Sequence, residues 1–276
     1  MKKFFSAILA IGILFLSASA VLADGEDEVM SRWRGPKVDA RVGAKQVFRP
    51  NGTISYRGDI VVYPIRLQDG KDIYSLGAGY KFNGWKGADQ SIGERHLAKL
   101  ALDWENENQR ITISALYGRQ SERYRRGDSW SNLVGGSFYY RWENNKKLWF
   151  FKAEAWGQFL GANEGASFID IGGRLFIYNG KVLKPFVEAN FSLGAPNKFA
   201  SLSLGIGVTD KNEIFYAQLG PYFDLRKAGM FGFADIGIDL NNLVLAINRA
   251  SAAAEVTEVP PTITVPVKQE TKTPKE

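Results

Sequence analysis

The first chemistry legible in this chain is a set of charged residues spaced two or four apart among apolar neighbours. Arg57 and Asp59, Lys152 and Glu154, Asp170 and Arg174, Lys184 and Glu188, and Asp235 and Asp239 share one parity of alternating segments. Asp39, Arg41, Lys45, Lys81, Lys99, Asp103, Arg110, Arg141 and Asp224 are placed alike. Such groups can neutralise one another by direct pairing, or they can line a water-filled passage and set which ions enter it. Catalysis fits less well. His96 is the sole histidine and is followed by Leu97 and Ala98, so no serine stands two positions on for it to activate. Asp210 is followed by Lys211 and Asn212 and not by a histidine. With no cysteine in the chain, disulfides, thiolate nucleophiles and thiolate metal sites are excluded. The net charge of +6 is modest, and no basic stripe runs along a helix, so no nucleic-acid partner is expected. No cofactor is expected either. Gly77-Ala78-Gly79, Gly172-Gly173 and Gly205-Ile206-Gly207 lie inside strand-like segments with no helix following, whereas a phosphate cradle needs strand, loop and helix.

These residues need strands to position them. From Leu133 to Leu160, two runs of period two flank Glu143-Asn144-Asn145-Lys146. Trp149, Phe151, Ala153, Ala155, Gly157 and Phe159 take one face, and Lys152, Glu154 and Gln158 take the other. From Trp149 to Phe159, about ten steps of roughly 3.3 Å at a tilt of about 40° rise roughly 25 Å, the height of a bilayer's apolar band. About twelve such segments are expected, with ten as the alternative count. They are Val38–Phe48, Ile54–Leu67, Ile73–Phe82, Leu97–Trp104, Arg110–Gly118, the two arms of the hairpin, Phe168–Tyr178, Val182–Leu193, Ser201–Thr209, Ile214–Arg226 and Met230–Leu240. Every second connection is short (Gln68–Asp72, Glu105–Asn108, Glu143–Lys146, Asn179–Lys181, Asp210–Glu213). The intervening ones are expected to be longer (Asn83–Glu94, Gln120–Ser131, Gly161–Ser167, Gly194–Phe199). Placing the short turns together puts Trp104, Trp142, Trp149 and Phe215 at one level, and Phe82, Tyr117, Phe159 and Phe223 near the other. Two aromatic girdles of a membrane-spanning barrel are the expectation.

In this architecture the chain resembles the bacterial outer-membrane β-barrel class, over roughly Val38 to Leu240 and without matching a particular family. The resemblance implies an all-β, transmembrane, up-and-down antiparallel barrel, contact with outer-membrane lipid, and insertion by the barrel-assembly machinery. One departure stands out: barrels of this class often finish on an aromatic residue used in assembly, and this chain continues past Leu240. Asn241–Ala254 can be read as a strand extension or a short helix; the alternation of Leu243, Leu245 and Ile247 favours a bent extension of the last strand.

The ends read differently. Met1-Lys2-Lys3, the apolar run Phe4–Leu16 and the small residues before Ala23 make a secretory signal peptide over 1–23, with Ala18-Ser19-Ala20 as the alternative cleavage site. Residues 24–37 form a periplasmic leader, 38–248 the barrel, and 249–276 a Pro-, Thr- and Lys-rich tail with the composition of disorder. The functional expectation is a narrow porin-like channel for small polar solutes or ions, with little preference between cations and anions because the signs are mixed. An interior closed by direct pairing would instead make the barrel structural or adhesive. A barrel hydrolase is the third reading, and no enzyme activity is expected. Arg119, Arg123, Arg125 and Arg126, beside Tyr124 and Trp130, are candidate contacts to lipopolysaccharide phosphates.

Overall fold

The computed structural model describes residues 32–48, 52–86, 92–124, 127–145, 150–162, 167–178, 183–195 and 199–247. The strands are β1 (Lys37–Phe48), β2 (Thr53–Asp69), β3 (Asp72–Lys86), β4 (Ile92–Glu105), β5 (Gln109–Tyr124) and β6 (Gly127–Asn145). They continue as β7 (Phe150–Ala162), β8 (Ser167–Tyr178), β9 (Leu183–Ala195), β10 (Phe199–Asp210), β11 (Phe215–Asp224) and β12 (Gly229–Asp239). Each is antiparallel to its neighbour in sequence, and β12 pairs back onto β1. The result is a closed up-and-down barrel of twelve strands, and closure removes every sheet edge.

The alternation in the sequence decides which face turns out. Leu100, Ile113, Ile206 and Leu219 are 57, 60, 70 and 68% exposed on the outer surface. On the other parity, Asp103, Arg110, Lys152, Glu154 and Asp235 are buried inside. This inverts the order of a water-soluble protein, where large apolar side chains seek the interior. Lipid is the solvent that stabilises such a belt, and a closed sheet is one of the two structures that satisfy their own backbone there. The barrel is of the transmembrane kind.

Proline marks the irregularities in the wall. Pro64 sits in a bulge of β2, where the register against β3 shifts between Val62 and Ile65. Pro185 lies just past the end of the β8–β9 ladder at Phe176 and Phe186. Pro221 pairs with Gly232 of β12, while its β10 side is where the ladder between Ser203–Tyr222 and Ile206–Leu219 is interrupted. Each proline thus stands at an interruption or end of a ladder on one side, where a missing N–H is best tolerated.

Several glycines lie beneath an aromatic ring on the facing strand. A Cβ on Gly172 would come within 2.5 Å of the Trp156 ring, and one on Gly157 within 2.2 Å of Phe138. These pairs sit directly opposite one another in the register. The ring lies flat over a residue with no side chain, which permits dense packing on a curved wall.

Two expectations need correction. Much of the expected loops Asn83–Glu94 and Gln120–Ser131 is ladder: β3 runs to Lys86 and β4 starts at Ile92, while Tyr124 of β5 pairs with Gly127 of β6. The two ends of the barrel therefore differ in how far strands extend past the apolar band, more than in loop length. In addition, the chain after β12 is helical over residues 240–247 (α1) and does not extend the strand. Asp239 supplies the reason. Its N–H closes the ladder onto the Ile214 carbonyl at 2.8 Å, and its carboxylate accepts from the Asn242 N–H at 3.1 Å, an N-cap that starts a helix. Leu240, Leu243, Val244 and Ile247 then follow the helical spacing that coexists with the alternation of Leu243, Leu245 and Ile247.

Before β1, Trp33 bridges Leu67, and the Arg34 N–H donates to the Arg66 carbonyl at 3.0 Å. The signal peptide 1–23, leader residues 24–31, the tail 249–276, Trp149, Arg125, Arg126 and the side chain of Arg123 lie outside the described residues.

Candidate functional site

The inner wall gathers the charged residues into belts that follow the register. On one side Asp239, Arg41, Asp59 and Lys81 stand opposite one another across β12, β1, β2 and β3. On the other, Arg141, Glu154, Arg174 and Glu188 do so across β6, β7, β8 and β9. Signs alternate at every step, the arrangement that makes directly opposed cross-strand pairs favourable.

Contacts within the belts are close. Arg174 donates to Glu188 Oε2 through Nε at 2.9 Å and Nη2 at 2.6 Å, and Arg41 Nε donates to Asp239 Oδ2 at 2.9 Å. Lys152 Nζ lies 2.9 Å from Glu154 Oε1, which also accepts from the Tyr139 hydroxyl at 2.9 Å. Lys99 Nζ reaches both oxygens of Asp59, at 3.0 and 3.2 Å, and Arg57 donates to Asp235 Oδ2 at 2.7 Å and to the Tyr216 hydroxyl. Gln218 Nε2 joins Glu188 and Asp235, each at 3.0 Å. Lys45 donates to Ser203 Oγ at 3.0 Å, and its ammonium lies 4.3 Å from the centre of the Phe233 ring. Asp170 faces Gln158 and Ser192 in the register of the same wall.

Other contacts cross the lumen. Arg110 of β5 donates to Asp39 of β1, and to Asp103 of β4 at 2.8 Å. Lys81 of β3 donates to Gln158 of β7. The Arg41 guanidinium of β1 lies 5.4 Å from the centre of the Tyr139 ring of β6. Apart from the neighbouring β4 and β5, these strands (β1 and β5, β3 and β7, β1 and β6) are four or five positions apart around the barrel, so the ties narrow the bore. Not every inward cation is covered: the Arg41 and Arg57 side chains remain 51 and 42% exposed.

At the short-turn end, Glu213 reaches in from the connection between β10 and β11, with a positive φ of 57°. Its carboxylate bridges Lys184 of β9, at 2.7 Å, and Lys152 of β7. Burial alone would raise the Glu213 carboxyl, but the charges and hydrogen bonds of Lys152 and Lys184 outweigh it and hold the group below the usual carboxylate range. A folded-state value below the unfolded one means stability that is present above the ordinary carboxylate pKa and lost as pH falls through the lowered value. Glu213→Gln is expected to cost about 2–3 kcal/mol at neutral pH, for hydrogen bonds to a charged group. It should also flatten the loss of stability below about pH 4. Denaturant titrations of both proteins in bilayers across pH 3–7 (roughly the range in which carboxylates titrate) check this.

Sequence parity placed the charged residues but passed over a second inward set. Leu97, Leu116, Leu133, Leu160 and Phe168 form a buried apolar cluster inside the wall of β4 to β8. Arg95 packs its guanidinium 4.5 Å from the centre of the Phe168 ring and donates to Gln120 Oε1 at 2.8 and 3.0 Å. The Arg174 guanidinium sits 4.3 and 4.8 Å from the ring centres of Phe186 and Tyr216. The signal was available: Leu97 shares the parity of Lys99, and Leu116 that of Thr112 and Ser114.

The outward set is equally plain. Phe82, Trp104, Tyr117, Trp142, Phe159, Phe215 and Phe223 all stand on the outer parity, with Tyr117, Phe159 and Phe215 more than half exposed. Arg119 is outward on β5 and donates to Asn132 Oδ1 at 3.2 Å. His96 is outward on β4, with Nδ1 against the Tyr80 hydroxyl and Nε2 3.4 Å from Glu94 Oε2. The charged inner wall and the sole histidine therefore occupy opposite faces of the sheet.

No protein-family model and no curated protein matches the chain. Among solved structures, it is similar to the β domain of the Bordetella autotransporter BrkA (11% identity, TM-score 0.49, 75% of this chain and 99% of that one). It is similar also to the KdgM porin in complex with disordered oligogalacturonate (9% identity, TM-score 0.41, 72% and 97%). A third is the translocator domain of the autotransporter NalP from Neisseria meningitidis (11% identity, TM-score 0.36, 86% and 97%).

Proposed function

We propose that this protein is an outer-membrane channel of narrow bore, passing ions and small polar solutes without strong preference for either sign of charge. The observation that carries this reading is the inner wall at Arg41 and Arg57, charged, enclosed by the barrel and still 51 and 42% exposed. Charged groups left in contact with water inside a wall of lipid-facing strands are what a conducting path requires. The alternating belts supply both signs along the path. Placement in the outer membrane rests on the closed barrel itself and on the export signal read at residues 1–23.

Planar-bilayer recording tests it. Discrete steps are expected, small for a barrel of this size. They should grow when Lys81→Ser removes the tie to Gln158. A barrel that inserts and stays silent, in both the parent and this variant, would overturn the channel reading.

The second reading is a non-conducting structural or adhesive barrel, favoured by the ties from Arg110 to Asp39 and from Lys81 to Gln158 across the lumen. Silent insertion would support it. Neither reading uses His96 as a catalyst, since its imidazole faces outward between Tyr80 and Glu94. The outward Arg119 belongs with the same reading as a contact to lipopolysaccharide phosphates in the outer leaflet, and assembly machinery remains the partner for insertion.

A further inference from the structure

We infer that α1 is an interfacial anchor whose apolar face lies in the lipid of the periplasmic leaflet. Its orientation is fixed at two points. Asp239 caps its first turn while paired to Arg41 on the barrel wall. Asn242 donates through Nδ2 to the carbonyl of Glu213 at 3.2 Å, so that side of the helix faces the turn between β10 and β11. At about 100° per residue, Leu240, Val244 and Ile247 lie roughly 140–160° around the axis from Asn242. They therefore point away from that turn, and Val244 and Ile247 are 54 and 55% exposed.

Water is a poor neighbour for such a face, and lipid is already beside it. Ile238, on the outer parity of β12, precedes Leu240 by two residues, so the apolar arc continues the lipid-facing band of the barrel. A short helix whose large apolar residues concentrate on one arc, with Leu245 alone toward the Asn242 side, held at the end of a membrane-spanning strand, rests in the boundary between headgroups and acyl chains. In that position it pins the end of the strand that closes the barrel.

The absence of cysteine makes the test clean. Val244→Cys, Ile247→Cys and Asn241→Cys are each labelled with an environment-sensitive fluorophore in the full chain, refolded into phosphatidylcholine vesicles. A shift in gel migration between unheated and boiled samples confirms folding. Labels at 244 and 247 are expected to emit to the blue of the label at 241, and to be quenched by lipids spin-labelled near the headgroup. Emission at 244 and 247 matching that at 241, with quenching by aqueous iodide, would overturn the inference. So would a blue shift without quenching by spin-labelled lipid, which would mean that protein and not lipid covers this face. Neither outcome depends on whether the barrel conducts.

Discussion

Arg110→Ala will destabilise the folded barrel by about 3–5 kcal/mol, the loss expected when one member of a buried ion pair is removed. Arg110 is a side chain 7% exposed between two carboxylates, Asp39 and Asp103, and the side chain of Asp103 is fully buried. Taking the guanidinium away leaves two carboxylates facing each other in a region that water scarcely reaches. Asp103 keeps only the hydroxyl of Thr112 as a described partner, which is poor compensation for a buried charge. Asp103→Ala in the same background should return part of the lost stability, because it removes the stranded charge along with its cause. Denaturant titration of the four proteins of that cycle in liposomes, followed by tryptophan emission, measures both effects. A single-variant loss below about 1 kcal/mol would place these groups in free exchange with water, as for a surface pair.

The outer face carries the second large effect. Ile113 is 60% exposed on β5, between the level of Trp104 and that of Tyr117. An arginine there must enter the acyl region, so Ile113→Arg should cost about 2–4 kcal/mol. Ser137→Arg places the same side chain on the inner parity of the adjacent strand, opposite Ser114 and Gln158, and should cost less. The comparison isolates the direction of the residue, since the chemistry added is identical. Equal costs at the two positions would remove the distinction between lipid and lumen on which the barrel reading stands.

Much of this organisation was legible before any coordinates. Period-two alternation placed all twelve strands, because a sheet whose two faces meet different solvents alternates, although β4, β5 and β6 run five or six residues past the expected bounds. In the chain from Arg110 to Ala115, for example, each step changes both polarity and side of the wall. The same rule put Arg41, Arg174, Glu188 and Asp235 on the inner wall. It could not say which charge meets which, since Arg110 finds Asp39 across the lumen at a sequence distance that no local pattern encodes. Nor did it reveal the inward Leu97 and Leu116, which look like members of the lipid face until their parity is counted. Ladder extensions above the apolar band were read as loops, because pairing such as that between Glu122 and Ser129 is held by backbone hydrogen bonds with little hydrophobic signature. The helix after β12 is the less favoured of two readings of the sequence for another reason. Leu243, Leu245 and Ile247 satisfy a strand pattern, while the cap that starts the helix depends on Asp239 finishing the last ladder.

Everything described here depends on lipid covering the outer face, and the most direct measurement reads that face one residue at a time. Nitroxide labels on single cysteines from Ile111 to Tyr117, in protein refolded into bilayers, can be relaxed by oxygen, which concentrates in lipid, or by a water-soluble nickel chelate. Oxygen should dominate at Ile111, Ile113, Ala115 and Tyr117 and fall away at Thr112, Ser114 and Leu116, a strict period of two. Uniform relaxation along the strand, or nickel dominating at the four outward positions, would contradict the membrane-spanning barrel itself.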